Sequence, residues 1–398
     1  MRAFFWILCS SAALQVHPQF FEWTQLPSFP GTARDDASAF TIGSTIHVGT
    51  GRDVSFALTS DWYAYDIGDQ SWTTIAPLPA SGRQYCAAFT DGVYGYLFGG
   101  VDANGPLNEL WRYDPSVDAW EEMPALPGAG RYATVAFSNG MVCTGVLNGG
   151  ISTNECWLYD ATSGTWAQRA EVPGPPRHRA SGSGDLVQVI GGADAEGNAL
   201  SDRYGYDPDM DEWATLAPLP AARIGADAVY DDALGTTYLV GGASSPTEFH
   251  NDAWEENGSG WSPLAPFTGG PRRGAVMAFV EDVSTPTIRF VFYGTGVDTE
   301  QRHNDWWVYT VLTESIAERT SVALRSFPNP STGEVHFELP IGTSTSGMVH
   351  DITGRVVMTG PVSANGTLDL SGLRSGEYMI RIVESGRTYH SRTSIIHP

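Results

Sequence analysis

The chain has 398 residues, of which 45 are acidic and 22 are basic, so its formal net charge is −23. A chain this acidic argues against a nucleic acid or an anionic membrane surface as its partner. Its length allows two or three domains, and every basic residue is Arg rather than Lys.

The first 18 residues have the pattern of a secretory signal peptide. Met1 and Arg2 precede a short apolar run over residues 3–8, and small residues follow at 10–13. The run is too short to span a bilayer. Lipidation of Cys9 is an alternative, but the small residues expected just before a lipidated Cys are missing. We therefore expect a secreted or outer-cell-surface protein without a transmembrane segment.

A repeat dominates the chain after residue 18. Its clearest marker is a Trp before a proline-rich turn, at Trp23, Trp72, Trp120, Trp166, Trp213 and Trp261. An Arg follows each Trp after 10 or 11 residues, at Arg34, Arg83, Arg131, Arg177, Arg223 and Arg272. A further column holds Tyr65, Tyr113, Tyr159, Tyr206, Glu256 and Tyr309, in which Glu256 is the exception. A period this regular indicates a repeat architecture.

Each unit combines four short strand patterns with a glycine pair, as in residues 85–123. In the third unit, Thr144-Gly145 has the spacing of the other glycine pairs, so residues 146–155 are interpreted as a loop. The order of glycines, Tyr-Asp and Trp resembles the kelch repeat. That resemblance implies an all-β, six-bladed kelch-like β-propeller over residues 19–312. The strand Glu22–Leu26 should close the ring beside Asp305–Val311, which leaves no open edge.

The repeat is lost after residue 312, and polar residues 313–325 are typical of a linker. Residues 326–398 alternate apolar and polar positions between glycine turns, which predicts a small immunoglobulin-like β-sandwich. The elements Pro328–Pro330, Asp351–Arg355 and Leu373–Tyr378 resemble those of type A sorting domains of the type IX secretion system in Bacteroidota. The resemblance implies export by that system, with its machinery as a partner. An ordinary immunoglobulin-like accessory domain is the alternative.

One face of the predicted propeller would carry the candidate ligand-binding residues. These are the six repeat Arg residues (Arg34, Arg83, Arg131, Arg177, Arg223 and Arg272) with His178, His250 and His303. Clustered guanidinium groups suit a carboxylate, as in an acidic sugar. Alternatively, each Arg pairs with the repeated acidic residue at position 61, 109, 155, 202, 252 or 305, which is a fold role. We expect no metal site and no cofactor, because no Cys-x-x-Cys or nucleotide-binding motif is present.

Cys143 and Cys156 fall on neighbouring antiparallel strands of the third unit. A disulfide between them is possible in an oxidising compartment. The alternative is two buried thiols.

Three functions are compatible with these patterns. The first is a secreted or surface recognition protein that binds a glycan or protein partner through one propeller face. The second is an enzyme acting on an acidic sugar, similar to the kelch-type sialic acid epimerases. The third is a structural or adhesion module without a small-molecule site. Enzymatic activity stays undecided, because fold alone does not determine function.

Overall fold

The computed structural model describes residues 23–182, 187–256, 258, 260–281, 288–312, 322–323, 326–328, 331–337, 345–351, 356–363, 366–384 and 387–396. The predicted signal peptide, residues 1–18, and most of the predicted linker, residues 313–325, lie outside them. The chain divides into two compact units, residues 1–311 and 312–398. All regular elements in the described residues are strands, so the all-β prediction is confirmed.

The first unit contains six four-stranded antiparallel sheets, the blades, whose strands run in order from the inner to the outer edge. Blade 1 has Ser38–Ile42, Thr45–Gly49, Trp62–Asp66 and Ser71–Ile75. Blade 2 has Ala87–Thr90, Gly95–Phe98, Leu110–Asp114 and Ala119–Met123. Blade 3 has Val135–Ala136, Met141–Cys143, Cys156–Asp160 and Thr165–Arg169.

The remaining blades follow the same order. Blade 4 has Ser181–Gly182, Gln188–Ile190, Arg203–Asp207 and Glu212–Leu216. Blade 5 has Asp227–Asp231, Thr236–Val240, Ala253–Glu256 and Trp261–Pro263. Blade 6 has Val276–Glu281, Ile288–Gly294, Trp306–Leu312 and, as its outer strand, Trp23–Leu26. The inner strands of neighbouring blades contact one another around a closed ring, so the predicted six-bladed propeller is confirmed.

The ring closes through the first described strand of the chain. Trp23–Leu26 pairs antiparallel with the third strand of blade 6, with Trp23 opposite Tyr309 and Leu26 opposite Trp306. This pairing gives blade 6 the same four strands as its neighbours. It also covers an edge that would otherwise expose unpaired backbone groups.

Short two-stranded hairpins lie between the second and third strands of several blades. They are Val101–Asp102 with Gly105–Pro106, Val146–Leu147 with Ile151–Ser152, and Ala243–Ser245 with Glu248–Phe249. At this place in blade 1, Arg52–Asp53 pairs instead with Arg34–Asp35, which precedes the inner strand. The outer strand of one blade ends on the side where these hairpins lie, and the chain crosses there to the next inner strand. We call this side of the propeller the loop face.

The repeated aromatic residues form the contacts between blades. Each Tyr of the column lies opposite a Trp on the outer strand, as Tyr113 does with Trp120. Trp120 then packs against Trp62 of the preceding blade at 5.0 Å between ring centroids. Large aromatic surfaces buried in this way are the main source of stability in such contacts.

The second unit has two sheets around its own apolar core. One sheet contains, in spatial order, Val322–Ala323, Arg387–Ile395, Gly376–Glu384, Thr345–Asp351 and Val356–Val362. The other contains Ser326–Phe327, Glu334–Phe337 and Thr367–Asp369. Val335, Val349, Leu368 and Ile380 are among its fully buried core residues. An immunoglobulin-like topology for this unit stays a prediction.

Candidate functional site

The six repeat Arg residues lie on the loop face, and each is bonded to a carboxylate of the repeat. The pairs are Arg34–Asp61 at 2.6 Å, Arg83–Glu109 at 2.9 Å, Arg131–Glu155 at 2.7 Å, Arg177–Asp202 at 2.6 Å, Arg223–Asp252 at 2.5 Å and Arg272–Asp305 at 2.5 Å. The Arg side chains are at most 2% exposed. Burial opposes ionisation of Asp61, but its bonds to Arg34 lower its pKa overall. This geometry favours the fold role for all six.

These Arg residues also bind the backbone where the chain turns at the repeated glycines after the second strand of a blade. We call this turn the glycine corner. Arg223 Nη1 donates to the carbonyl of Gly241 at 2.8 Å, and Arg177 Nη1 donates to that of Gly191 at 3.2 Å. Their own carbonyls accept the N–H of the second corner residue, as Arg131 does from Gly100 at 3.0 Å. The repeated Arg thus ties the end of one blade to the corner of the next. Arg34 and Arg272 bond the carbonyls of Thr50 and Thr295 in the same way, and the carbonyls of all six Arg residues accept a corner N–H.

The three candidate histidines also lie in loops of this face. His178 Nδ1 is 3.2 Å from Ser152 Oγ, and burial together with the nearby charge of Arg179 lowers the pKa of His178. His303 Nε2 is 2.8 Å from Asp298 Oδ2. Burial lowers the pKa of His250. Within the described ranges, no three His, Cys, Asp or Glu side chains come together as a metal site.

A ring of backbone hydrogen bonds surrounds the centre of the loop face. It is formed by the residue two positions after each repeat Arg, at Asp36, Tyr85, Ala133, Arg179, Gly225 and Gly274. The N–H of each donates to the carbonyl of its counterpart in the preceding blade, over 2.8–3.2 Å. All six have a positive φ, between 51° and 60°. Left-handed backbone is unfavourable for Tyr85 and Arg179, so the closed ring must impose it.

The side chains on this ring differ although its backbone repeats. Arg179 lies over the Tyr85 ring, 4.5 Å from its centroid, and donates to the Tyr85 hydroxyl. Burial raises the pKa of Asp36 to about 7, while the Arg179 charge and the Tyr85 hydroxyl oppose the rise. Ala133, Gly225 and Gly274 add no polar side chain to the ring, and the Asp36 carboxylate lies against Gly274. Sequence reasoning missed these residues, although the five different residue types at this one repeat position were the available signal.

A second guanidinium stands beside Arg179. Arg273 is half-buried, and among the described residues it has no ion pair with a carboxylate. It lies over the ring of Phe249 at 5.3 Å. Burial and the neighbouring charge of Arg179 both lower the pKa of Arg273. By contrast, Arg302 on the same face is paired with Asp35. The centre of the loop face therefore holds a guanidinium without an ion-pair partner among the described residues, while the charges of Asp36 and Asp35 act on it from nearby.

The central channel continues below the ring. A cavity of about 130 Å³ is lined by the ring residues, Thr134 and Asp227. Burial raises the pKa of Asp227 well above its usual range, and the nearby Asp36 charge adds to this rise. Towards the opposite face the channel widens to about 660 Å³ between Phe40, Phe89, Tyr230 and Phe279. The channel walls in between consist largely of alanine and glycine.

Cys143 and Cys156 lie directly opposite each other in blade 3, with their Cα atoms 4.2 Å apart, and form a disulfide. Both are fully buried. Cys86, near the channel, is free. The disulfide links the second and third strands of blade 3.

Comparisons with known proteins agree with this architecture. Residues 11–183 match the KLHDC2/KLHL20/DRC7 Kelch-repeats domain, and residues 325–397 match the Secretion system C-terminal sorting domain. Alpha-scruin and beta-scruin of Limulus polyphemus are each 31% identical, over 71 and 64 residues. These matches cover 18% and 16% of this chain but only 8% and 7% of the scruins' own lengths.

A solved structure titled "Structure of YjhT" shares the fold. It aligns with a TM-score of 0.60 and 17% identity over 71% of this chain and 95% of its own. Within the described part of the chain, no helix is long and apolar enough to cross a membrane. The chain thus carries a kelch-repeat β-propeller and a C-terminal sorting domain of the kind that marks proteins exported by the type IX secretion system to the cell surface or the extracellular space.

Proposed function

We propose that this exported protein is a recognition protein that binds a glycan bearing an acidic group at the centre of its loop face. One observation carries the proposal: Arg273 stands next to Arg179 at the mouth of the channel without a carboxylate partner among the described residues. Two adjacent guanidiniums repel each other, so an anion placed between them is stabilised. The six repeat Arg residues have no part in this binding, because their carboxylates already neutralise them.

The surroundings of the two guanidiniums suit a sugar. The rings of Tyr85 and Tyr132 lie 5.8 Å apart at the mouth, and aromatic rings suit the apolar C–H faces of a pyranose. Gly225 and Gly274 carry no side chain, so Arg273 and the Asp36 carboxylate can approach the ring backbone there. Arg179 uses Nη2 to donate to the Tyr85 hydroxyl, and its guanidinium keeps further N–H donors for a carboxylate.

Binding is tested on the full chain by thermal shift and calorimetry with glucuronate, N-acetylneuraminate and their neutral counterparts. A ligand at a hundred times its dissociation constant stabilises the folded state by about 2.7 kcal/mol. We expect a shift with an acidic sugar only, and its loss in Arg273→Gln. Arg302→Gln, which affects a paired Arg of the same face, is the control. If no acidic sugar binds, or if Arg273→Gln binds as well as the wild type, the proposal is wrong.

A second candidate function is an enzyme that acts on an acidic sugar. It is favoured by Asp36, which is buried at the ring with its pKa raised to about 7. A carboxyl group that titrates near neutrality can both accept and donate a proton, as general acid–base catalysis requires.

Asp36→Asn separates the two functions. Under the enzyme hypothesis, the variant binds the acidic sugar but no longer converts it, and wild-type turnover follows a pKa near that of Asp36. Turnover is followed by proton NMR of the sugar's anomeric and ring protons. Binding by the wild type without any conversion leaves recognition as the function.

A further inference from the structure

The contact between blades 4 and 5 departs from the repeat. Glu256 of blade 5 stands where the other blades have a Tyr, and it is followed by Trp261 after five residues instead of seven. Facing it, Arg203 of blade 4 occupies a position that is apolar in the other blades. The equivalent residues are Trp62, Leu110, Cys156, Ala253 and Trp306, all buried. One blade contact out of six has therefore exchanged its apolar packing for an ion pair.

The ion pair is almost completely buried. Arg203 Nη2 is 2.5 Å from Glu256 Oε2, and the side chains are 5% and 8% exposed. Arg203 Nε donates to Gln188 Oε1 at 2.8 Å, and Glu256 Oε1 accepts the Gly258 N–H at 2.9 Å. Burying two charges costs several kcal/mol per ion, so such a pair is often less stabilising than apolar packing. At this position the other five contacts are apolar, so the fold alone gives no reason for the exchange; Asp231 and Arg289 form a buried ion pair at a different position, between blades 5 and 6.

Three polar groups at this contact have no partner among the described residues. In the five other blades, the repeated Trp donates its Nε1 hydrogen to a backbone carbonyl of the preceding blade, as Trp213 does to Ala170 at 2.9 Å. Trp261 makes no such bond, although its indole nitrogen is buried. Arg203 Nη1 and Thr237 Oγ1 are likewise buried and unpartnered. Buried polar groups are rarely left this way unless something else satisfies them.

A cleft opens where the missing bond would be. By the repeat, the acceptor for Trp261 is the carbonyl of Ala217, and Ala217 lines a cavity of about 480 Å³. Gly205 and Ala214 form its blade 4 wall, and Tyr230 with Thr237 and Glu256 forms the blade 5 wall. Tyr230, Thr237, Glu256 and Trp261 lie opposite one another in one row across blade 5. Their side chains therefore all face blade 4.

We propose that this cleft binds an uncharged sugar residue. Its volume lies in the range of small-ligand sites. Arg203 and Glu256 neutralise each other, so the cleft has no net charge to attract an ion. The unpartnered groups are mainly hydrogen-bond donors, which suit the hydroxyl and ring oxygens of a sugar, and Tyr230 adds an aromatic wall. The cleft lies in the contact between two blades, apart from the ring, so its occupation does not depend on the proposed acidic-sugar site.

The test uses the full chain with glucose, galactose, mannose, N-acetylglucosamine and their disaccharides, followed by saturation-transfer NMR and calorimetry. We expect at least one neutral sugar to bind. Thr237→Val keeps the shape but removes one hydroxyl, so it should weaken binding about tenfold, the equivalent of one hydrogen bond, without lowering the melting temperature. Arg203→Leu combined with Glu256→Tyr restores the Leu–Tyr pair of blades 2 and 3, and should abolish binding in a folded protein.

Arg273→Gln serves as the control, because it alters the ring site and leaves the cleft intact. Neutral-sugar binding that survives Arg273→Gln but not Thr237→Val supports the cleft. The proposal is overturned if no neutral sugar binds, which would leave water as the occupant. It is also overturned if Thr237→Val binds as tightly as the wild type. If the double variant does not fold, neutral-sugar binding by Thr237→Val still tests the proposal.

Discussion

The indole Nε1 of Trp23 donates a hydrogen bond of 3.2 Å to the carbonyl oxygen of Ala265, 242 residues further along the chain. The Trp23 ring also packs against Phe267 at 5.0 Å and Tyr309 at 5.2 Å between centroids. Through these contacts, a strand near the start of the chain joins blade 6 and is held against blade 5. Closure of the propeller thus depends on a few residues at one end of the sequence.

Replacing Trp23 with Ala should destabilise the whole propeller. Trp23 is 6% exposed, and removing a buried Trp from a core typically costs about 3–5 kcal/mol. Because closure removes the open edge, the loss should appear as one cooperative transition at lower denaturant in both far-UV circular dichroism and fluorescence. Thr24→Ala, an exposed change in the same strand, should leave the midpoint nearly unchanged. An unchanged midpoint for the Trp23 variant would show that closure contributes little.

The buried Arg pairs should matter far more than pairs on the surface. Asp305→Asn leaves the guanidinium of Arg272 fully buried without its countercharge, and breaking a buried pair in this way costs about 3–5 kcal/mol. Arg112 and Glu121 form an exposed pair of similar length, 2.6 Å, so Glu121→Gln should cost at most about 1 kcal/mol. Urea unfolding of both variants measures the difference. Equal losses would contradict the fold role assigned to the repeat Arg residues.

The net charge of −23 should make stability depend on salt. Most carboxylates have no basic partner, because 22 Arg face 45 acidic residues and several Arg are buried in the repeat pairs. Salt screens the resulting repulsion, since the Debye length falls from about 10 Å at 0.1 M to about 3 Å at 1 M. We therefore expect the melting temperature to rise between these concentrations in both NaCl and KCl. A melting temperature that falls would mean that attractive surface pairs outweigh the repulsion.

The repeat was predictable because its residues perform the same task in each blade. The phasing of the third unit at Thr144-Gly145 is an example: Gly145 donates to the Arg177 carbonyl at 2.9 Å, as Gly100 does to that of Arg131 at 3.0 Å. The sequence also offered Arg–carboxylate pairing as the alternative to ligand binding, because an Arg that recurs in all six units suggests a requirement of the fold. Spacing along the chain is sufficient to predict the role of a residue wherever one blade repeats the chemistry of another.

The ring and the cleft could not be predicted in the same way. Asp36, Tyr85 and Arg179 occupy one repeat position but share no chemistry, and they meet only when the blades close around the channel. Glu256 was recognisable as an exception in its column, yet its partner Arg203 lies 53 residues earlier in another blade. To predict that two such exceptional residues are in contact, one must know which side of each strand faces which neighbouring blade. Both proposed sites thus lie at positions where the repeat is broken.

Asp36 should give the protein a stability that declines from acid to neutral pH. Its folded-state pKa of about 7 lies above the value of about 3.9 for an unfolded Asp, so the folded state holds the proton more tightly. The free energy of unfolding therefore falls as pH rises from about 4 to about 7, and this contribution is constant at higher pH. Asp36→Asn cannot ionise, so the difference in stability between variant and wild type should grow across this window.

Urea unfolding at pH 5, 6, 7 and 8 measures this difference. Asp232→Asn, which changes an exposed carboxylate outside the channel, is the control. Its free energy of unfolding should change with pH as that of the wild type does. The free energy of unfolding of Asp36→Asn should exceed that of the wild type by most at pH 8, where burying the ionised carboxylate is costly. A constant difference across the four pH values would mean that Arg179 compensates the Asp36 charge fully. In that case Asp36 would not titrate near neutrality, and the enzyme hypothesis would lose its proton donor and acceptor.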